Sequence, residues 1–156
     1  MKKSRILNSY LNQAIADLGH GDTIIISDAG FPIERSKRID LALEPDFPTI
    51  PQILELIMSD FIYEGCWVAE EQKVHNPQLF AKVTALSTRC PVATVPHNDI
   101  IGSFRDNAKF VIRTGSFEPW GNVVLRSGVD APVWFQKPGA SVPAYYEDRV
   151  NHKEPK

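Results

Sequence analysis

The sequence predicts an α/β protein: one three-layer α/β/α domain with a largely parallel central sheet. Short β-branched runs such as Thr23-Ile-Ile-Ile-Ser27 alternate with stretches whose apolar residues recur at helical spacing, the pattern of βαβ units. The helical stretches are about 10 to 13 residues long, enough for a crossover between parallel strands. The chain has 156 residues, 43% of them hydrophobic, which suffices for a single core and gives no sign of a second.

The elements follow in order. Leu7, Leu11, Ala14, Ile15 and Leu18 define a first helix over 7–19, with Asn8 or Ser9 as its cap and Gly19 past its end. Thr23 to Ser27 is a buried strand that delivers Asp28 to its C-terminal end, and His20 sits in the turn before it. After a loop, Ile39 to Leu43 is a short strand, and Pro51 suits the first turn of a helix carrying Ile53, Leu54, Ile57, Met58 and Phe61 on one face. Ile62 to Ala69 is a strand, and Asn76-Pro77 caps and opens a helix to Thr88. Val92 to Val95 is a strand, Asn98 to Asn107 is helical, and Phe110 to Arg113 and Asn122 to Leu125 are the last strands. These two lie too close in sequence for a helical crossover, so they are expected to pair antiparallel. The domain is expected to span residues 1–129. Beyond it, in 130–156, Pro132, Pro138, Pro143 and Pro155 exclude long helices, while Trp134, Phe135, Tyr145 and Tyr146 are too apolar for a solvated tail. That segment is expected to be an extended arm docked on another surface, ending in a disordered stretch from Asn151 to Lys156.

Composition removes several function classes. A net charge of −2 and the absence of any Lys/Arg run argue against a nucleic-acid partner. Apolar runs fall well short of the roughly 20 residues of a spanning helix, and Asn8, Ser9, Asn12 and Asp17 interrupt any signal-peptide core. The expectation is a soluble, cytoplasmic protein without a membrane partner. Cys66 and Cys90 have no CxxC spacing and no disulfide framework around them. Metal ligation has no HxH or HExxH motif to rest on, and P-loop, GxGxxG and GxSxG motifs are missing.

The residues that remain are few. Asp28 lies at a strand's carboxyl end, where open parallel sheets bind ligands, or it is a turn residue capping local amides. His20 is either a surface loop histidine or a proton carrier, a role suited to an imidazole near neutral pH. Both it and Asp28 flank one strand, which suggests a shared sheet edge. His97 follows the strand ending in Val95 and belongs to the same candidate cleft. His75 and His152 are expected to face solvent. Glu70 and Glu71, as neighbours in a strand, would point to opposite faces and cannot act as a pair. In the loop Arg113 to Asn122, Trp120, Gly121 and Asn122 join an aromatic face, a flexible residue and an amide, a combination that suits a sugar, or else a core tryptophan beside a turn.

A set of short motifs then acquires meaning together: Leu18-Gly-His-Gly-Asp-Thr23, Ser27-Asp-Ala-Gly-Phe-Pro-Ile33, Arg38-Ile-Asp-Leu-Ala-Leu43, Val68-Ala-Glu-Glu71, His75-Asn-Pro-Gln-Leu79 and Val111-Ile-Arg-Thr-Gly115. In this order the chain resembles the D-ribose pyranase family over about residues 1–129. The related L-fucose mutarotases share the Gly-His-Gly-Asp and Ser-Asp-Ala portions. The resemblance implies a cofactor-free isomerase that interconverts pyranose and furanose forms, and anomers, of D-ribose or a related monosaccharide by acid/base ring opening and closure. It also implies a ring-shaped homo-oligomer, a decamer, with sites between subunits. By this resemblance His20 matches the catalytic proton donor, Asp28 and His97 match substrate-binding positions, and Trp120 to Asn122 match a Tyr-x-Asn substrate segment. Trp120 departs from the family: an indole keeps the flat face and a donor but cannot accept a hydrogen bond. An L-fucose-type mutarotase and a non-catalytic sugar-binding module are the alternatives.

Overall fold

The computed structural model describes residues 3–152, and the last four residues of the arm expected to be disordered lie outside them. The first helix, α1 (Ser9–Ala16), is capped by Asn8, whose side chain accepts the Leu11 N–H. It ends at Asp17, short of the glycine expected to close it. Strand β1 (Thr23–Ser27) follows, and then β2 (Arg38–Asp40). Helix α2 (Ile50–Met58) starts one residue before Pro51, the predicted first position, because Thr49 and Gln52 form a reciprocal capping box there. Next come β3 (Tyr63–Ala69), α3 (Glu70–His75), α4 (Pro77–Leu86) and β4 (Val92–Val95).

A kinked helical run covers 97–107. It comprises α5 (His97–Asp99), a wide turn over Ile100–Phe104 broken at Gly102, and α6 (Arg105–Asn107). Strands β5 (Phe110–Arg113) and β6 (Val123–Ser127) complete the sheet.

The six strands lie in the order β2-β5-β1-β6-β3-β4. Pairs β2/β5, β5/β1 and β3/β4 are parallel, while β6 runs antiparallel to both β1 and β3. The expected pairing of the last two strands with each other is therefore corrected: β6 is antiparallel, but it inserts between β1 and β3. A fully buried row of apolar residues, Val123 to Leu125, suits that central place.

Alternation along the strands builds the three layers. Ile24 and Ile26 face one side and pack with Leu11, Ile53, Leu54, Ile57, Leu79 and Val83 from α1, α2 and α4. Ile25 faces the other side, with Ile100, Ala108, Val111 and Val124 and, at the margin, Phe104 and Trp120. The α/β/α architecture and the dominant strand direction agree with the sequence reading.

The arm differs from expectation in form. It is a string of short turns, α7 (Ala131–Trp134), a 3₁₀ turn at Ala144–Tyr146 and α8 (Glu147–Val150), since its prolines fit helix starts. Its distal end folds back on β3, with the Arg149 guanidinium 3.0 Å from Glu64.

Candidate active site

The turn after β1 is a built structure. The Asp28 Oδ1 accepts the Gly30 N–H at 2.8 Å, which leaves Oδ2 to the Asn122 amide. Asn122 stands one residue before β6, the antiparallel neighbour of β1, so its side chain faces the end of β1. Its Oδ1 accepts the Asp28 N–H and its Nδ2 donates to Asp28 Oδ2, both at 3.1 Å. Asn122 is 1% exposed, so the pair is buried on one side and open to the cleft on the other.

Trp120 is held in the left-handed region, φ +51°. A non-glycine residue there costs of order 1–3 kcal/mol, so surrounding contacts have to impose it. They come from α3 and α4. The fully buried Gln72 donates to the Trp120 carbonyl at 2.7 Å, and the His75 ring lies 5.1 Å from the indole. Asn76 donates to Glu118 at 2.7 Å while its own oxygen caps α4. Gly121 is enclosed by Glu118 and Ile50, where a side chain would collide.

His97 lies across the cleft. Its backbone N–H donates to Glu71 Oε2 at 3.0 Å, and its buried ring Nδ1 has no partner within the described residues. An orphaned buried nitrogen at a cleft is a candidate ligand contact. Asp28, Phe31, His97, Trp120 and Asn122 line one cleft of about 200 Å³. That volume suits a ligand with few heavy atoms, being below the roughly 300–1,000 Å³ of drug-sized sites.

Five of the six site residues are thus brought together, Gly121 shaping the loop behind the cleft. The sixth is not. His20 precedes β1 and Asp28 follows it, so they stand at opposite ends of that strand, roughly 16 Å apart at about 3.3 Å per residue. The expectation that both share one sheet edge is corrected: the turn holding His20 is tied instead to the far end of β6, through Gly21 N–H to the Ser127 carbonyl. There the His20 Nε2 lies 3.0 Å from Glu64 Oε1.

Two further expectations change. Glu70 and Glu71 open helix α3 and do not lie in a strand, and His152 is half-buried, its Nε2 enclosed. His75 is exposed as expected, with its ring tilted against Trp120. Gln72, Asn76 and Glu71 are positioning residues; of these the sequence reading saw Asn76 only as a helix cap, set Glu71 aside as a strand carboxylate and did not single out Gln72. The available signal was the two acidic residues after Ala69, which favour a helix's first turn. Among the described residues no group of three His, Cys, Asp or Glu side chains converges as a metal site, and no helix is long and apolar enough to cross a membrane.

The arrangement of Asp28, His97, Trp120 and Asn122 around a small cleft coincides with a family match: residues 1–130 fit the RbsD / FucU transport protein family. The chain belongs to that family. It is 44% identical over 151 residues to D-ribose pyranase 1 of Streptomyces griseus subsp. griseus, covering 96% of this chain and 100% of that one. A solved structure of Bacillus subtilis RbsD complexed with D-ribose superimposes with a TM-score of 0.78 at 35% identity, over 83% of this chain and 98% of that chain. A fucose mutarotase from Streptococcus pneumoniae in complex with L-fucose is similar in fold, with a TM-score of 0.60 at 17% identity over 83% of this chain and 99% of that one. Family members therefore occur both with and without a counterpart of the arm.

Proposed function

We propose that this chain is a sugar isomerase that interconverts the pyranose and furanose forms, and the anomers, of D-ribose or a closely related monosaccharide. The observation that carries the reading is the cleft where Asp28, His97, Trp120 and Asn122 converge. The family membership and the identity to a D-ribose pyranase support it.

The chemistry needs proton transfers only. One group protonates the ring oxygen as its bond to the anomeric carbon breaks, and a base or water takes the anomeric hydroxyl proton as the carbonyl forms. The open chain turns, and a different hydroxyl, or the same one on the opposite carbonyl face, closes the ring with the reverse transfers. Atoms and charge balance without an oxidant or a second substrate. His20 is the proton donor, Asp28 accepts hydrogen bonds from sugar hydroxyls, Asn122 orients Asp28, the His97 side chain lines the sugar cleft, and the Trp120 face takes the apolar C–H side of the sugar.

Because His20 and Asp28 lie at opposite ends of β1, a complete site draws them from two subunits. The assembly in this reading is a ring-shaped homo-oligomer, a decamer, acting in the cytoplasm. The domain carrying the chemistry is 1–129, and 130–156 is an accessory arm.

Saturation transfer between the NMR signals of ribose anomers tests the proposal. The expected result is exchange well above buffer, lowered in His20→Ala by about 10²–10⁴, the usual contribution of a positioned acid–base group. Sugar binding without accelerated exchange would instead mark a non-catalytic module. Faster exchange of L-fucose than of D-ribose would mark a mutarotase of the fucose type, a reading to which the indole of Trp120 gives some room.

A further inference from the structure

We infer that Glu64 is the positioning residue for His20, that the arm supplies a clamp on it through Arg149, and that Nδ1 is consequently the proton-carrying atom of the imidazole. This rests on the reading of His20 as the proton donor and adds to it the means by which the ring is held.

His20 stands on a turn with its side chain 43% exposed, while the Glu64 side chain is only 10% exposed. A surface imidazole on a turn rotates unless a ring nitrogen is fixed. Among the described residues, the contact that fixes it is Nε2 to Glu64 Oε1 at 3.0 Å. A carboxylate there accepts a hydrogen bond, so Nε2 keeps its hydrogen, and Nδ1 is left as the atom that exchanges a proton with substrate.

A mostly buried carboxylate needs balancing charge. Two guanidinium groups provide it, each backed by an aromatic ring. Arg126 lies 3.4 Å from Oε1 and 5.3 Å from the centre of the Trp67 ring, and Arg149 lies 3.0 Å from Oε2 and 4.7 Å from the centre of the Tyr146 ring. Neither Arg126 Nε nor Glu64 Oε2 is aligned for a hydrogen bond. The arginines therefore balance charge and restrict Glu64 while His20 takes its directed hydrogen bond. Arg149 lies beyond residues 1–130 that match the family, so this part of the clamp belongs to the arm.

The test uses the full-length oligomer, with exchange measured against D-ribose concentration and the imidazole tautomer read from ¹⁵N shifts. Wild-type His20 is expected to carry its hydrogen on Nε2. Glu64→Ala is expected to mix the tautomers and lower kcat by about tenfold to hundredfold, a portion of what an acid–base group contributes, with KM changed by less than about twofold. Glu64→Gln, whose amide oxygen still accepts, should restore the tautomer and much of kcat. Arg149→Met should lower kcat by about two- to fivefold, the scale of a partly exposed ion pair. Should Glu64→Ala fail to fold, the wild-type tautomer and Arg149→Met still decide. Hydrogen on Nδ1 in the wild type, or unchanged kcat and tautomer in Glu64→Ala, overturns the inference. Undiminished exchange in His20→Ala would instead overturn the role of His20, and the tautomer signal separates that failure from this one.

Discussion

Asp28 and Asn122 exchange two hydrogen bonds at 3.1 Å, and this reciprocity makes their identities hard to change. Asn122→Asp keeps the acceptor for the Asp28 N–H but replaces the amide donor with an oxygen facing a carboxylate. The variant is expected to lose about 1–3 kcal/mol of stability, the cost of a broken buried hydrogen bond, and to raise KM for ribose. Thermal unfolding and exchange kinetics read the two effects separately. In the middle of β3, burial pushes the Cys66 thiol up to about 12, with the nearby Cys90 adding to the effect. A thiol reacts as its thiolate. Native protein at pH 8 should therefore leave Cys66 unmodified by iodoacetamide, and modification should follow denaturation. Rapid alkylation in the native state would contradict the packing around β3.

At the scale of elements, the loop joining β5 to the Asp28 cleft depends on Gly115, against which the backbone carbonyls of Glu44 and Phe47 pack. Since backbone cannot swing aside, Gly115→Ala is expected to cost about 1–3 kcal/mol by overpacking, measurable as a lowered Tm. The arm has its own sensitivity. Burial, aided by Arg89, holds His152 below the usual histidine value of 6.5. With a lowered folded pKa, its contribution is intact above that value and is lost as the pH falls, because the undocked tail takes up the proton more readily. Protection factors of the α8 amides, taken relative to the intrinsic exchange rate at each pH, should fall as the pH is lowered from 7.5 to 5, and His152→Gln should remove that dependence. What the sequence disclosed follows the same physics. Strands β1, β4 and β5 were legible because short runs rich in β-branched residues, bounded by polar residues or prolines, leave few alternatives. The short α3 was not, because Ala69-Glu-Glu continues a strand whose end no glycine or proline marks. Missing it also hid Glu71 and Gln72, the residues that brace His97 and Trp120.

At the scale of the molecule, the cleft shared by Asp28 and His97 was legible from their places at strand ends, whereas the separation of His20 from it was not. A strand has two ends, and local sequence around His20 and Asp28 does not say that the turn and the strand terminus face away from each other. The fold answers this by stationing the cleft at the carboxyl end of β1 and His20 at its start, next to Glu64 and the arm. In the proposed reading, activity therefore draws on two subunits. The measurement that bears most directly on this mixes two variants, His20→Ala and Asp28→Ala, each inactive alone, unfolds and reassembles them together, and follows ribose exchange by saturation transfer. In a symmetric oligomer with independently drawn subunits, about a quarter of sites receive both native residues. Recovery of roughly that fraction of wild-type exchange is the predicted result, and mixed oligomers that remain inactive would contradict the shared site.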